Sequence, residues 1–336
     1  MSDKIASHAV VPEAGLPEEP PSVAVVIPCW NAEKWIARAI QSVLDQNYPN
    51  LEIIVIDDGS TDGSLDIIKS FGDKIRWETG PNRGACVARN RSITLNTAEF
   101  ILFLDADDYL EGDILLGLSE AISNNQADIA FGPGIVEYTN YKRELRMYSP
   151  EASKSDIVSS VVFFTGARTG SVLWRRDFLL EIGGWDVRLG RLQDYFLILR
   201  GIARCSTFAI SQLGGSVWYE HEGANRVSRQ RTSETELSVL LSYRENMPEF
   251  QEYLSKAEKL KLASNIYFLS LDLRRRGYKK EAALGFNLCR SLGLSGHVGN
   301  FRHRFLCSLL GLDLKERLSS LNRDFHTLRA RQRVDI

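Results

Sequence analysis

The sequence predicts an α/β protein with a mostly parallel central sheet, followed by a helical C-terminal region. Three observations predict it. Short β-rich runs alternate with stretches of helical periodicity through the first half, the pattern of strands joined by right-handed helical crossovers. Residues 53–56 and 100–104 are apolar without a break, as strands buried on both faces are. From Ser233 onward the apolar residues recur at helical spacing. The expected organisation is a leader over 1–22, an α/β domain over 23–230 and a helical region over 231–336.

Each element follows from its own residues. Val23-Ala24-Val25-Val26-Ile27, ended by Pro28, reads as the first strand. Asn31 can cap the next helix, on which Trp35, Ile36, Ala39, Ile40, Val43 and Leu44 share a face before Pro49 and Asn50 break it. The second strand, 53–56, ends in Asp57 and Asp58. The polar residues of 59–63 can cap a helix through Leu65 and Ile68. A short strand at 74–78, a turn at 81–84 and a helix at 85–95 carrying Arg89 come next, then the strand 100–104. Beyond it, 110–123 reads as a helix and 128–131 as a strand. Residues 132–147 read as strand and turn, and 154–165 as a helix or an irregular lid. A strand at 169–174, a short helix at 176–182 and a tight turn at 183–186 follow. The last helix of this part has Asp194 in its first turn, where the helix dipole favours an anion.

The chemistry concentrates where the strand 100–104 runs into Asp105, Ala106, Asp107 and Asp108. In an open α/β sheet, ligands bind outside the carboxyl ends of the strands. Crowded carboxylates repel unless a cation or donor groups compensate them. Hard oxygen ligands suit Mg²⁺ or Mn²⁺ beside phosphates. The alternative is a solvated turn, in which Asp is common. A second acidic strand end, Asp57-Asp58, opening on the same edge makes that harder to hold. Composition removes other classes. A net charge of −2 gives no reason to expect nucleic acid. No apolar run reaches the roughly 18–20 residues that cross a bilayer. Residues 1–22 lack the apolar centre of a secretory signal and read as disordered. Cys29, Cys86, Cys205, Cys289 and Cys307 form no CxxC pair, as expected of reduced thiols in a cytoplasmic protein.

Read together, Ile27-Pro28-Cys29-Trp30-Asn31, Val55-Ile56-Asp57-Asp58-Gly59-Ser60-Thr61-Asp62, Asn82-Arg83-Gly84, Ala88-Arg89-Asn90 and Phe103-Leu104-Asp105-Ala106-Asp107-Asp108 resemble the family 2 glycosyltransferases, in order and spacing. The resemblance covers roughly residues 23 to 228. It implies the GT-A nucleotide-sugar-binding fold, with Asp105-Ala106-Asp107 as the DxD motif. It also implies a donor site that includes Pro28, Trp30, Asn31, Asp57, Asp58, Arg89 and Asp105. There Trp30 would stack on the base, Asp57 or Asp58 would hydrogen-bond it, and Arg89 would help hold the nucleotide. An indole face and a carboxylate acceptor suit those tasks. Gly183-Gly184-Trp185-Asp186 and Gln193-Asp194 through Arg200 resemble the family's next two segments, which implies that Asp194 is the general base. Gln193 departs from the usual Glu. Trp218-Tyr219-Glu220-His221 resembles the segment whose His approaches the metal or pyrophosphate, with Tyr219 where an Arg is often found; Asp107 and His221 are the expected metal ligands.

The activity so implied is metal-dependent transfer, with inversion, of a sugar from a nucleotide-diphosphate donor to a glycan, lipid-linked or other acceptor hydroxyl. Polysaccharide, glycolipid or glycan synthesis is the expected setting, and Mn²⁺ or Mg²⁺ the cofactor. A non-catalytic nucleotide-sugar binder would keep Trp30, Asp57 and Asp105 without needing Asp194. A phosphotransferase would use Asp105 as nucleophile, but leaves the other motifs unexplained. The chain's end is basic through Arg302, Arg304, Lys315, Arg317, Arg323, Arg329, Arg331 and Arg333. Basic amphipathic helices can lie on anionic membranes, so peripheral contact at the inner face of the membrane is an expectation, set against a solvated surface packed on the catalytic domain. Because the resemblance ends near Ser228, the C-terminal helices are expected to be dispensable for donor chemistry.

Overall fold

A computed structural model describes residues 20–166, 168–221 and 232–298. The chain runs β1 (Val23–Cys29), α1 (Ile36–Leu44), β2 (Leu51–Asp57), α2 (Ser64–Ser70), β3 (Arg76–Thr79), α3 (Ala85–Leu95) and β4 (Phe100–Phe103). It continues β5 (Tyr109–Glu111), α4 (Ile114–Asn124), β6 (Ile129–Phe131), β7 (Gly134–Tyr138), β8 (Arg143–Arg146), α5 (Lys154–Val162), β9 (Val172–Arg175), α6 (Arg176–Glu181) and α7 (Gln193–Arg204). Then come β10 (Phe208–Ile210), β11 (Gly215–Glu220), α8 (Ser233–Phe250), α9 (Lys256–Arg275) and α10 (Lys279–Ser291).

The strands form a seven-stranded sheet in the order β10-β6-β9-β4-β1-β2-β3 and a four-stranded sheet in the order β5-β11-β7-β8. In the large sheet every neighbouring pair is parallel except those of β9, which runs against β4 and β6. The alternation of strand side chains explains the two cores. Val23, Val25 and Ile27 face Ile36, Ala39, Ile40 and Val43 of α1 and Leu115, Leu118 and Ile122 of α4. Ala24 and Val26 face the opposite core, built from α3, α5, α6 and α7. That second core does not stop at α7. Val239, Leu240, Tyr243, Met247 and Phe250 of α8 and Leu262 and Ile266 of α9 are buried in it beside Phe196 and Leu199.

Several local expectations are corrected. Asn31 does not cap α1: it sits at φ 49, and Trp35 is the N-cap residue, with no side-chain bond. The stretch expected to be one helix over 110–123 first forms β5, because Tyr109, Leu110 and Glu111 pair with Val217, Ser216 and Gly215 of β11. The helix then starts at Ile114. Residues 154–165 are no irregular lid. Ser153 and Asp156 form a capping box at the start of α5, and Ile157, Val158, Val161 and Val162 are buried. Thr169–Ser171 is a 3₁₀ turn ahead of β9, and Gly72–Lys74 another ahead of β3. Of the leader, residues 20–22 are described and tied down. The Tyr48 hydroxyl donates to the Pro21 carbonyl (2.8 Å), and the Glu99 N–H to Ser22 Oγ (2.9 Å). Cys29, Cys86, Cys205 and Cys289 are free and buried. Among the described residues no helix is long and apolar enough to cross a membrane. Cys307 and the basic residues from Arg302 onward lie outside the described residues.

Candidate active site

The site begins at the carboxyl ends of β1, β2 and β4, which lie side by side. β1 and β2 are parallel with Cys29 opposite Asp57, and buried Pro28 opposite Ile56. Asn31 ties the loops after these strands together. Its N–H donates to Ser60 Oγ (3.0 Å) and its Oδ1 accepts the Thr61 N–H (2.8 Å). The positive φ of Asn31 is one that Asn tolerates better than most residues. Asp57 is buried and accepts the Ser60 N–H (3.2 Å) and the Thr79 hydroxyl (2.6 Å). Asp58, also buried, accepts the N–H groups of Arg83 and Gly84, each at 2.8 Å. Gly59 lies at φ 75, and a Cβ there would sit 2.8 Å from the Asn82 nitrogen, so the approach of the two loops requires glycine. Both carboxylates thus hold the floor in shape, with lone pairs in hand for a base N–H. Trp30 stands at the rim, 41% exposed. Beneath it, burial pushes the Cys29 thiol up to about 12.

Beyond β4 the carboxylates of Asp105 and Asp107 have different partners. Asp105 is bound by Arg89, whose Nη2 donates at 2.5 Å. Arg89 is buried, and its Nη1 donates to Gln193 Oε1 (2.9 Å) while its guanidinium lies 4.3 Å from the Trp185 ring centre. Arg89, expected to help hold the nucleotide, thus bridges the end of β4 and the start of α7. Asp194 is the next residue after Gln193, partly buried, and lines a small cavity with Thr169, Trp174 and Trp185. Asp107 Oδ2 is 2.9 Å from His221 Nε2. His221 stacks on Trp35, with ring centres 4.2 Å apart. Arg38 lies against the Tyr109 and Tyr219 rings (4.4 and 4.7 Å) and donates to the Asp107 carbonyl (2.7 Å). Buried Asp108 accepts the Tyr219 N–H (3.1 Å) and so fixes β11 to the end of β4.

Sequence reasoning passed over Arg38, Trp35 as a stacking partner, Gln193 as a link, and Arg168. The Arg168 guanidinium lies 4.3 Å from the Trp218 ring centre. Burial pushes it below the usual arginine range, opposed first by the charge of Asp194. None of these has a local signature, since each depends on elements far apart in the chain. For a metal, the donors at hand are one carboxylate and one imidazole. That mixed set fits Mn²⁺, and Mg²⁺ less well because Mg²⁺ favours oxygen. Among the described residues no three His, Cys, Asp or Glu side chains converge. Further ligands would be diphosphate and water oxygens.

The model of the family described as Glycosyl transferase family 2 matches residues 24–175. Over that stretch the chain is similar to the family 2 glycosyltransferases. The chain is 35% identical over 113 residues to Glycosyltransferase GlyA of Streptococcus pneumoniae, an alignment covering 33% of this chain and 16% of GlyA. The chain also spans 40% of the length of Glycosyltransferase GlyG from the same organism, so it matches well under two thirds of these curated relatives. An uncharacterized glycosyltransferase of Rickettsia prowazekii is 27% identical over 277 residues, covering 79% of this chain and 83% of that protein. Since 79% of 336 residues exceeds 228, similarity to that protein runs past Ser228. The solved structure of S. aureus TarS 1–349 in complex with UDP-GlcNAc superposes with a TM-score of 0.58 at 18% identity, covering 81% of this chain and 80% of that one. Mannosyltransferase PcManGT from Pyrobaculum calidifontis, in complex with GDP-Man and Mn²⁺, gives 0.53 at 16% identity, covering 94% and 86%. The fold is GT-A.

Proposed function

We propose that the protein transfers a glycosyl group from a nucleotide-diphosphate sugar to an acceptor hydroxyl, with inversion and with help from a divalent cation. One observation carries this reading. Arg89 joins Asp105 of the DxD motif to Gln193, the neighbour of Asp194, so the carboxyl end of β4 and the first turn of α7 form one site. The donor would lie along the floor, its base against Trp30 and its diphosphate toward Asp107 and His221. Those two side chains would hold Mn²⁺, which when bound supplies positive charge for the departing diphosphate. Asp194 takes the proton of the acceptor hydroxyl. The acceptor oxygen bonds to the anomeric carbon as the carbon–oxygen bond to the diphosphate breaks, and that electron pair leaves with the nucleoside diphosphate. One base and one in-line attack invert the anomeric centre. The acceptor would be a glycan, a lipid-linked sugar or another hydroxyl compound, and relatives named as glycosyltransferases favour an enzyme over a passive binder.

The test is Asp194→Asn, measured against a panel of nucleotide sugars with and without Mn²⁺. A base contributes roughly 10²–10⁴-fold to the rate. Turnover should fall by about that factor, with nucleoside-diphosphate affinity unchanged because the first half holds the donor. Near wild-type turnover for Asp194→Asn would remove the base assignment.

A further inference from the structure

We infer that α8 positions the base: the buried ion pair of Arg191 with Glu236 fixes the turn that presents Asp194. The inference rests on the assignment of Asp194 above. It starts from what is missing locally. α7 has no capping side chain at its N-terminus, and its N-cap residue is Leu192 at φ 57. That left-handed conformation disfavours a residue with a Cβ, and a bulky one especially. A backbone in such a state persists only where its surroundings over-determine it. The local sequence therefore does not set the direction of the first turn of α7, and Asp194 sits in that turn.

Besides the Gln193 side chain, which accepts from Arg89 and donates to the Leu189 carbonyl, the surroundings that set it come from α8. Gly190 packs so closely on α8 that a Cβ would lie 2.5 Å from Thr235 Cγ2. One residue on, Arg191 Nη2 lies 2.6 Å from Glu236 Oε2, with the side chains only 13% and 4% exposed. On the far side of Asp194, the Tyr243 hydroxyl donates to the Tyr195 hydroxyl at 3.1 Å, both tyrosines being buried. Arg188, which grips Asp186 at 2.8 Å, also reaches Glu245 at 2.6 Å. Contacts of residues 188, 190, 191 and 195 with α8 thus bracket Asp194 on both sides. A buried pair of full charges is a poor source of net stability but a good device for fixing one geometry. That is what a base requires, since small misplacements of a reacting group cost large factors in rate.

The test compares Glu236→Gln, Arg191→Lys and Asp194→Asn in the full chain. The measurements are turnover of a nucleotide sugar from the panel, UDP and GDP affinity by calorimetry, and backbone hydrogen exchange over residues 190–196. Glu236→Gln should lower kcat at least 10-fold, leave nucleotide affinity within 2-fold and speed exchange at 192–195 at least 10-fold. Arg191→Lys, which keeps the charge, should hold kcat within about 3-fold. Wild-type kcat in Glu236→Gln, where Asp194→Asn is inactive, would overturn the positioning role while leaving the base in place. A silent Asp194→Asn would instead remove the base itself, and this inference with it. Should Glu236→Gln fail to fold, the double variant Arg191→Met with Glu236→Met carries the test. Replacing both charges by apolar side chains leaves no unpaired buried charge but removes the link to α8, so kcat should drop at least 5-fold with nucleotide affinity unchanged; an unaltered kcat would overturn the inference.

Discussion

Individual side chains divide into those that meet the ligand and those that hold others in place. In the proposed reading Trp30 belongs to the first group. Its exposure at the rim places it where a base can stack, and Trp30→Ala should weaken nucleoside-diphosphate binding by about 1–3 kcal/mol in calorimetry, the range for one aromatic–base stack. Arg89 belongs to the second. Arg89→Met would leave Asp105 without its bound guanidinium and release Gln193 from the end of β4. Turnover should fall at least 10-fold, and a melting curve should move down. Asp186 offers a pH test. Hydrogen bonds from Arg188 hold its carboxyl below the usual carboxylate range. A depressed folded-state pKa contributes stability that is complete above the unfolded value of about 3.9 and is lost as pH falls through the folded value. Asp186→Asn should therefore be less stable than wild type at pH 7 in urea titrations, and the gap should narrow below about pH 4. Motif residues such as Asp57, Asp105 and Asp107 were legible one by one, because carboxylates at strand ends announce themselves. The true partners of Arg89 were not, since Gln193 lies 104 positions away and only the fold brings them together.

The elements show where periodicity suffices and where it fails. α3 was readable to the residue, 85–95, and the buried runs of β1, β2 and β4 had no competing interpretation. β5 was missed because its apolar content matches a helix start, and what makes it a strand is pairing with β11 about a hundred residues later. The antiparallel course of β9 was likewise invisible, because strand direction is a property of the sheet. The loop between β2 and α2 depends on the single backbone that Gly59 permits. Gly59→Ala should lower stability and nucleotide affinity together, since the clash with the Asn82 nitrogen must push apart the loops that Asp58 joins. A thermal melt and calorimetry on the same sample would check it; a loss of stability with intact affinity would mean the loops can part without harm to the floor.

The described residues form a core shared between the α/β part and the helices after it. Helical spacing after Ser233 reads as an appendage, yet α8 and α9 complete the core that α5 and α7 begin. Each large apolar side chain buried there contributes about 1.5–3 kcal/mol. Together Val239, Leu240, Tyr243, Met247, Phe250, Leu262 and Ile266 rival the net stability of about 5–15 kcal/mol typical of a domain. A chain ending at Arg231 should lose cooperative unfolding and bind the hydrophobic dye ANS, which circular dichroism and fluorescence would reveal. The pairing of Asp107 with His221 has a different reach. Asp107 follows β4 of the seven-stranded sheet, and His221 follows β11 of the four-stranded one. A cation shared by both would be a rivet between two plates, and an ion that binds only the folded protein raises stability by RT ln(1 + [L]/Kd). Heating then becomes a binding assay that needs no sugar: each tenfold rise in Mn²⁺ above its dissociation constant, with a nucleoside diphosphate present, adds about 1.4 kcal/mol. His221→Ala would leave the plates unriveted, and the melting temperature indifferent to the ion.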